Sequence, residues 1–536
     1  MTPATIFQAS SASVKRITAR VGKIAWSQFN RHRHRQRSKM TIDRLPDEIL
    51  EHIFVLAGEL HPCRGQRDVT HTTRCMSCSA ELVVSTVSRR WRAIALNYSR
   101  LWTTIRLSAS TTPQALQLYL DRSRYRPLDV EIVVRMSKGA TTASRPITQG
   151  ALRTLLHTLL QALPRWRQLH VSTPFPDILD VVMSLLGQKH LGAPSLEVLA
   201  IECPFETGLL SGNGNMYPQP FPAGAPRLQH VQLHRCSFPL QDNESLSRLT
   251  SFEVASAPWT LSDLHVLSIT SPQLTHLAVT SSYKLDSRVS LHFPNLRSLR
   301  IGDYFQNATI LELMEAPQLE VLQIEDMEVQ FNVTAGWYVD ALRGDGSHGD
   351  QSKFPNLRSL RLQMPGSPED PSPLIVGQRF SDFLRLFPSV EHLAFVGIHV
   401  HQFVRGLVAL HSHVEPDDVL LPKLTHLTLG GQDELNTLGG ECGVRFLESV
   451  MQLVKVRRLV NGPLRRIQVP VNVLARDRFL LRKFLVQMRH GSRKGLELEG
   501  VRMPYPSDVW LGYKWGLRML PQLHGKNTLE GASALL

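Results

Sequence analysis

Residues 61–78 hold a local cluster of metal-ligating side chains: His61, Cys63, His71, Cys75 and Cys78. Zinc takes four nitrogen or sulfur ligands in a tetrahedron, and a C-x-x-C pair supplies two of them from one turn. Cys75 and Cys78 form such a pair, and His61 with Cys63 would be the partners to complete the site. No second pair stands at a standard spacing, so the expectation is a solvent-exposed loop with incidental thiols and no cofactor. Four more histidines, His230, His276, His392 and His426, recur at one position of a repeated unit, just before a short apolar alternation. That regularity points to a structural position at strand entry rather than to ligands.

Catalytic signatures are missing. The chain contains no G-x-x-x-x-G-K-[ST], no G-x-G-x-x-G following a strand, no H-E-x-x-H and no G-x-S-x-G. The expectation is a binding protein and not an enzyme.

Charge is the next lead. The formal net charge is +14, but it sits at two places. Residues 1–39 carry Lys15, Arg16, Arg20, Lys23, Arg31, Arg33, Arg35, Arg37 and Lys39 and no acid, which reads as a disordered, solvated tail with a nuclear-localisation patch as its functional alternative. Residues 445–519 carry sixteen Lys and Arg against five Asp and Glu. There, LVKVRRL and the run holding Arg476, Arg482, Lys483 and Arg489 beside Phe479 and Phe484 read as an amphipathic cap with solvated charges, or as a patch for an acidic or phosphorylated segment. Aromatics are not interleaved as a base-stacking surface needs, which speaks against nucleic acid. No stretch of 18 apolar residues occurs, so no membrane span is expected. No compact apolar core with a cleavage site marks the N-terminus as secretory. Six cysteines in 536 residues are no disulfide framework, which fits a reducing cytoplasmic or nuclear setting.

The elements that would carry such a binding role begin at Thr41. In TIDRLPDEILEHIFVLAGEL, Pro46 suits the first helical position, Asp47 and Glu48 suit the positive end of the helix dipole, and Ile49, Leu50, Ile53, Phe54 and Leu56 make an apolar stripe. After a polar insert at 58–79, a second helical pattern over 80–98 sets Leu82, Val83, Val87, Trp91, Ile94 and Ala95 at i, i+3, i+4 spacing, and Leu101-Trp102 closes it. The three pieces in order, L-P-x-E-I-L-x-x-I-F, V-S-x-x-W-R-x-I-A and L-W, resemble the F-box, in particular F-box proteins of mushroom-forming fungi. Ser88 stands where those often carry Cys. The resemblance covers about 60 residues. It implies docking to a Skp-type adaptor of a cullin ligase through Leu45, Pro46, Ile49, Leu50, Ile53, Phe54, Val84, Val87 and Trp91.

Beyond it a unit P-x-L-x-x-L-x-[apolar] returns. Examples are PSLEVLAI (194–201), PQLTHLAV (272–279), PNLRSLRI (294–301), PQLEVLQI (317–324), PNLRSLRL (355–362) and PKLTHLTL (422–429), with weaker copies at 247–254 and 462–469. Alternation in L-x-L is the period of a short strand with one buried face, and stacked copies share a core. Segments such as 150–163 and 378–387 have helical periodicity and fit the other side. The pattern resembles an irregular leucine-rich repeat. It departs from that family at the bend position, where Ser282, Tyr304 and Met327 stand and only Cys236 fits. PLDVEIVV (127–134) is expected to open the sheet, and 211–225, 331–354, 364–377 and 402–420 to be inserted loops.

The expected architecture is α/β. A basic tail (1–39) precedes a small all-helical F-box domain (40–105, insert at 58–79). An irregular leucine-rich-repeat solenoid follows (106–520), with a parallel sheet on its concave side, helices and loops on its convex side and a basic C-terminal cap. Residues 521–536 form a flexible tail. The expected function is that of a substrate-recognition adaptor of an SCF-type cullin ubiquitin ligase; the alternative is a leucine-rich-repeat scaffold for protein–protein interaction without a ligase role. The substrate is expected to be an unknown protein, read on the concave face by the residues between the buried strand positions, which should face solvent. Among these and their neighbours, Arg300, Arg361, Gln323, Glu325 and His234 are the candidates, with Arg300 and Arg361 as anchors because arginine offers a planar fork.

Overall fold

The structure, a computed structural model, describes residues 42–59, 80–134, 147–203, 217–239, 246–257, 259–280, 283–284, 289–302, 307–325, 331–343, 352–364, 378–397, 400–412, 419–430, 440–459, 464–470 and 497–501. The basic tail, the insert with His61, Cys63, Cys75 and Cys78, the Arg476–Arg489 run and the C-terminal tail lie outside them. The described residues fall into two compact units that divide after residue 228.

The first unit opens with three helices, α1 (Asp47–Glu59), α2 (Ala80–Ser85) and α3 (Arg89–Asn97). Ser88 caps α3, its hydroxyl accepting from the Trp91 amide at 3.1 Å, which is the chemistry an N-cap serine supplies. Leu50, Phe54, Val84, Trp91, Ile94, Ala95, Leu101 and Trp102 form the core of this bundle. Phe54 and Trp91 pack at 4.8 Å between ring centroids, and the Trp102 indole N–H donates to the Ala95 carbonyl at 2.8 Å.

A parallel sheet follows directly: β1 (Thr104–Leu107), β2 (Leu128–Val133), β3 (Trp166–Ser172) and β4 (Val198–Glu202), each pairing with the next. β1 crosses the boundary expected at 105/106. It also takes the edge position expected for 127–134, since Leu101-Trp102 leads straight into an alternating Thr104-Ile105-Arg106-Leu107. Helices α4 (Pro113–Ser123), α5 (Gln149–Leu160) and α6 (Pro176–Leu186) connect the strands. Trp102 meets Tyr119 of α4 edge-on at 5.1 Å and lies under the Arg122 guanidinium at 4.3 Å, so bundle and sheet share packing.

The second unit repeats one motif. Its strands are β5 (His230–His234), β6 (Ser251–Ala255), β7 (His276–Thr280), β8 (Ser298–Ile301), β9 (Val321–Ile324), β10 (Ser359–Met364), β11 (His392–Gly397), β12 (His426–Gly430), β13 (Arg466–Pro470) and β14 (Glu497–Val501). All are parallel and paired in sequence order. In each P-x-L unit the leucine amide bonds back three residues, as Leu274 to Ser271, Leu319 to Ala316 and Leu357 to Phe354 do. Proline thus occupies the second position of a tight turn, where its fixed φ is already correct. Asn295 and Asn356 donate to the carbonyls of Pro272 and Pro317 in the preceding unit, both at 2.9 Å, tying turn to turn. The core rows Leu277, Leu299, Leu322, Leu360, Leu393, Leu427 and Ile467, and Val279, Ile301, Ile324, Leu362, Phe395, Leu429 and Val469, are buried throughout.

Two expected loops are helical. α9 (Phe331–Leu342) and α11 (Val400–Ser412) stand with α7 (Leu261–Thr270), α8 (Asn307–Leu313), α10 (Gln378–Arg385) and α12 (Gly440–Leu459). α11 buries Val400, Phe403, Val404, Leu407 and His411, a helical stripe that a central Gly406 and the absence of a capping signal obscure in the sequence.

Candidate functional site

Two surfaces carry the residues singled out by sequence, one in each unit. On the helical bundle, α1 presents two adjacent apolar stripes. Leu50 and Phe54 point into the core, while Ile49 and Leu56 remain 46% and 52% exposed and Ile53 is half-buried. α2 divides the same way: Val84 is buried and Leu82 is 47% exposed, with Val87 beyond the helix at 39%. Pro46 is exposed and Leu45 half-buried. The nine residues that the resemblance assigns to adaptor binding therefore separate. Leu50, Phe54, Val84 and Trp91 hold the bundle together, whereas Pro46, Ile49 and Val87 are on the surface. Leu56 and Leu82 join them there without having been in the set, because period alone does not say which side of a broad stripe faces inward. Arg90 fixes the entrance to α1, donating to the Leu45 carbonyl at 2.6 Å and pairing with Asp47.

In the second unit, the positions between the core rows form a row of their own on the opposite face, since strand residues alternate. It reads Gln232, Glu253, Ala278, Arg300, Gln323, Arg361, Ala394, Thr428 and Gln468. The expectation that these residues face solvent needs correction. Gln232, Glu253, Ala278, Arg300, Gln323 and Ala394 are buried, as are Glu325 and Gln363 in the next row, while Arg361, Thr428 and His234 are half-buried. The reason is the narrow strand spacing of about 4.8 Å, across which long side chains lie over short neighbours. Arg300 shows it. Its guanidinium reaches past Ala278 to Glu253, Nη1 to Oε1 at 3.8 Å, and forward to Glu325, Nη2 to Oε2 at 2.8 Å. The Gln323 amide donates to the other Glu325 oxygen at 2.5 Å. Glu253 was not among the candidates; it occupies the same position of a copy lacking the leading proline. His234 ends β5, three strands from Arg300.

Toward β11 and β12 the row turns neutral. Ser359 and His392 Nδ1 lie 3.4 Å apart, His392 Nε2 is 2.8 Å from the Thr428 hydroxyl, and that hydroxyl donates to Gln468 at 2.8 Å. With the Thr428 proton committed, its oxygen accepts from Nε2–H, so the His392 ring carries a proton on Nε2. Burial, then His426 and Arg361, push its pKa down to about 4. At pH above 6.5 both folded and unfolded chains hold it neutral. Between 6.5 and 4 the unfolded chain takes up the proton first, so stability falls as pH falls. The expected loss from this group is about 2 kcal/mol at pH 5. Urea denaturation of wild type and His392→Gln at pH 7 and pH 5 measures it. An equally large pH difference in the variant would remove His392 as the cause. His276 and His426 also begin their strands, each ring bonded to the preceding threonine hydroxyl at 2.7 and 2.8 Å.

The basic C-terminal segment is not simply a solvated face. Arg457 of α12 is fully buried, donating to the carbonyls of Leu420 (2.7 Å), Leu421 (3.0 Å) and Leu424 (3.2 Å), with His411 Nε2 at 3.2 Å. Burial pushes its pKa down to about 10, which leaves it charged at neutral pH. No group of metal-ligating side chains occurs among the described residues, and none of their helices is long and apolar enough to cross a membrane.

No curated protein matches the chain. A family model, F-box-like, matches residues 42–108, which span the three-helix bundle, its closing Leu101-Trp102 and strand β1. This chain therefore contains an F-box-like domain.

Proposed function

We propose that this chain is a substrate-recognition adaptor of an SCF-type cullin ubiquitin ligase. In this reading the exposed apolar residues of α1 and α2 dock a Skp-type adaptor, and the repeated strand-turn-helix body, a divergent leucine-rich repeat, holds a protein substrate. The observation that carries it is the exposed set Pro46, Ile49, Leu56, Leu82 and Val87 on a bundle whose core is already complete without them. Apolar helix faces left outside a finished core suit a helix-in-groove partner, in which a few large side chains dominate. The body contributes by binding alone: it raises the substrate's effective concentration beside the transfer machinery. Cytoplasm or nucleus is the setting this role requires. The test is reconstitution of the full chain with a Skp-type adaptor and cullin. A stable ternary complex on size exclusion is the expected result. Failure to capture the adaptor would leave a scaffold without a ligase role.

A further inference from the structure

The two arginines of the polar row differ in one respect that bears on what the sheet holds. Arg300 is held between Glu253 and Glu325. Arg361, two strands further on, is not given an acceptor by its neighbours. Glu325 has both oxygens engaged, by Arg300 and by Gln323. On the other side stands Ala394, which has nothing to offer, and the Thr428 hydroxyl beyond it takes His392 and gives to Gln468. Arg361 Nε is buried without a hydrogen-bond partner, as Arg300 Nε is; the difference is that Arg300 has a carboxylate on each Nη and Arg361 has none among the described residues. The Oε1 of Gln363, a side chain only 7% exposed, two residues along the same strand and on the same face, is also buried without a hydrogen-bond partner. Buried polar groups are nearly always satisfied, and a charged donor left open is costly.

Resting on the reading that the sheet binds a protein, we propose that β10 takes an extended acidic segment of that protein, with a carboxylate on Arg361 and an N–H on Gln363. The spacing suits it, because i and i+2 lie about 6.6 Å apart along a strand, which is the side-chain repeat of an extended peptide. A planar guanidinium accepts a carboxylate in a two-point contact. Charge selects the carboxylate over a phosphate: Glu253 and Glu325 lie in the same cluster, so a dianion would meet two carboxylates and one open cation.

The probe is an array of short synthetic peptides that differ at one position, carrying Asp or Glu, Asn or Gln, or phosphoserine, offered to the full chain. Wild type is expected to prefer the acid over its amide by about tenfold, with phosphoserine no better. Arg361→Gln should erase that preference and Arg361→Lys should weaken it, while Gln363→Leu lowers capture of all. Because burial opposes the Arg361 charge and its removal leaves no hydrogen-bond partner behind, Arg361→Gln should melt at or above the wild-type temperature, whereas Arg300→Gln, which strands two carboxylates, should melt lower. No capture, no acid preference, a preference that survives Arg361→Gln, tighter binding of phosphoserine, or a marked drop in melting temperature for Arg361→Gln would each overturn the proposal. Adaptor capture by Arg361→Gln stays intact in either case, and loss of adaptor capture elsewhere leaves the peptide preference readable, so the two readings fail separately.

Discussion

The variant Ile49→Asp/Leu82→Asp is expected to lose more than about 100-fold in affinity for a Skp-type adaptor while melting as the wild type does. Both side chains are about half exposed in this chain, so neither is part of the bundle core. Burying the exposed half of each against a partner is worth roughly 0.7–1.5 kcal/mol, and an aspartate in its place adds the cost of desolvating a charge, about 1–3 kcal/mol. Two such losses exceed about 3 kcal/mol, which at 1.4 kcal/mol per decade passes a hundredfold. The complementary variant is Trp91→Ala. Trp91 is buried against Phe54, so its loss should lower stability by about 3–5 kcal/mol through the cavity it leaves. Titration calorimetry and melting curves, read together, separate surface from core. Undiminished adaptor binding by a folded double variant would remove the α1–α2 face from the interface.

Replacing Arg457 by Met is expected to lower stability by about 3–5 kcal/mol. The methionine fills the space but donates nothing, so the carbonyls of Leu420, Leu421 and Leu424 lose the guanidinium that joins α12 to the turn before β12. His411 is part of the same arrangement. Its Nδ1–H donates to the Leu407 carbonyl at 2.8 Å, and its other nitrogen accepts from Arg457. Burial lowers its pKa, which suits the neutral form that accepts. Arg457→Lys should recover only part of the loss, because an ammonium is a point donor and cannot fork across three carbonyls. Denaturation midpoints, with hydrogen exchange over 440–459 and 420–430, give the measurement. A loss under about 1 kcal/mol would mean that water replaces the arginine, and that the contact holds little of the fold.

The elements of this protein were largely legible from local pattern. The P-x-L turns, the L-x-L strands that follow and the helices of the F-box-like domain depend on residues one to four apart, and those spacings are set by backbone geometry alone. The helices at 331–342 and 400–412 were the exceptions. Tertiary packing decided three further things. It chose Leu50 and Phe54 over Ile49 and Leu56 as the inner stripe of α1, since a broad apolar face has no inside until a neighbour arrives. It turned Arg457 from one basic residue among sixteen into a buried clasp. And it separated two nearly identical octapeptides, PNLRSLRI and PNLRSLRL. In both, the arginine falls on the same face of a parallel strand, which the sequence alone determined. What each arginine meets is contributed by strands 25 to 47 residues away: Glu253 and Glu325 around Arg300, but Gln323 and Ala394 beside Arg361. The difference between a paired structural arginine and an open one therefore lies in the neighbouring strands, because parallel pairing brings together side chains that no local spacing relates.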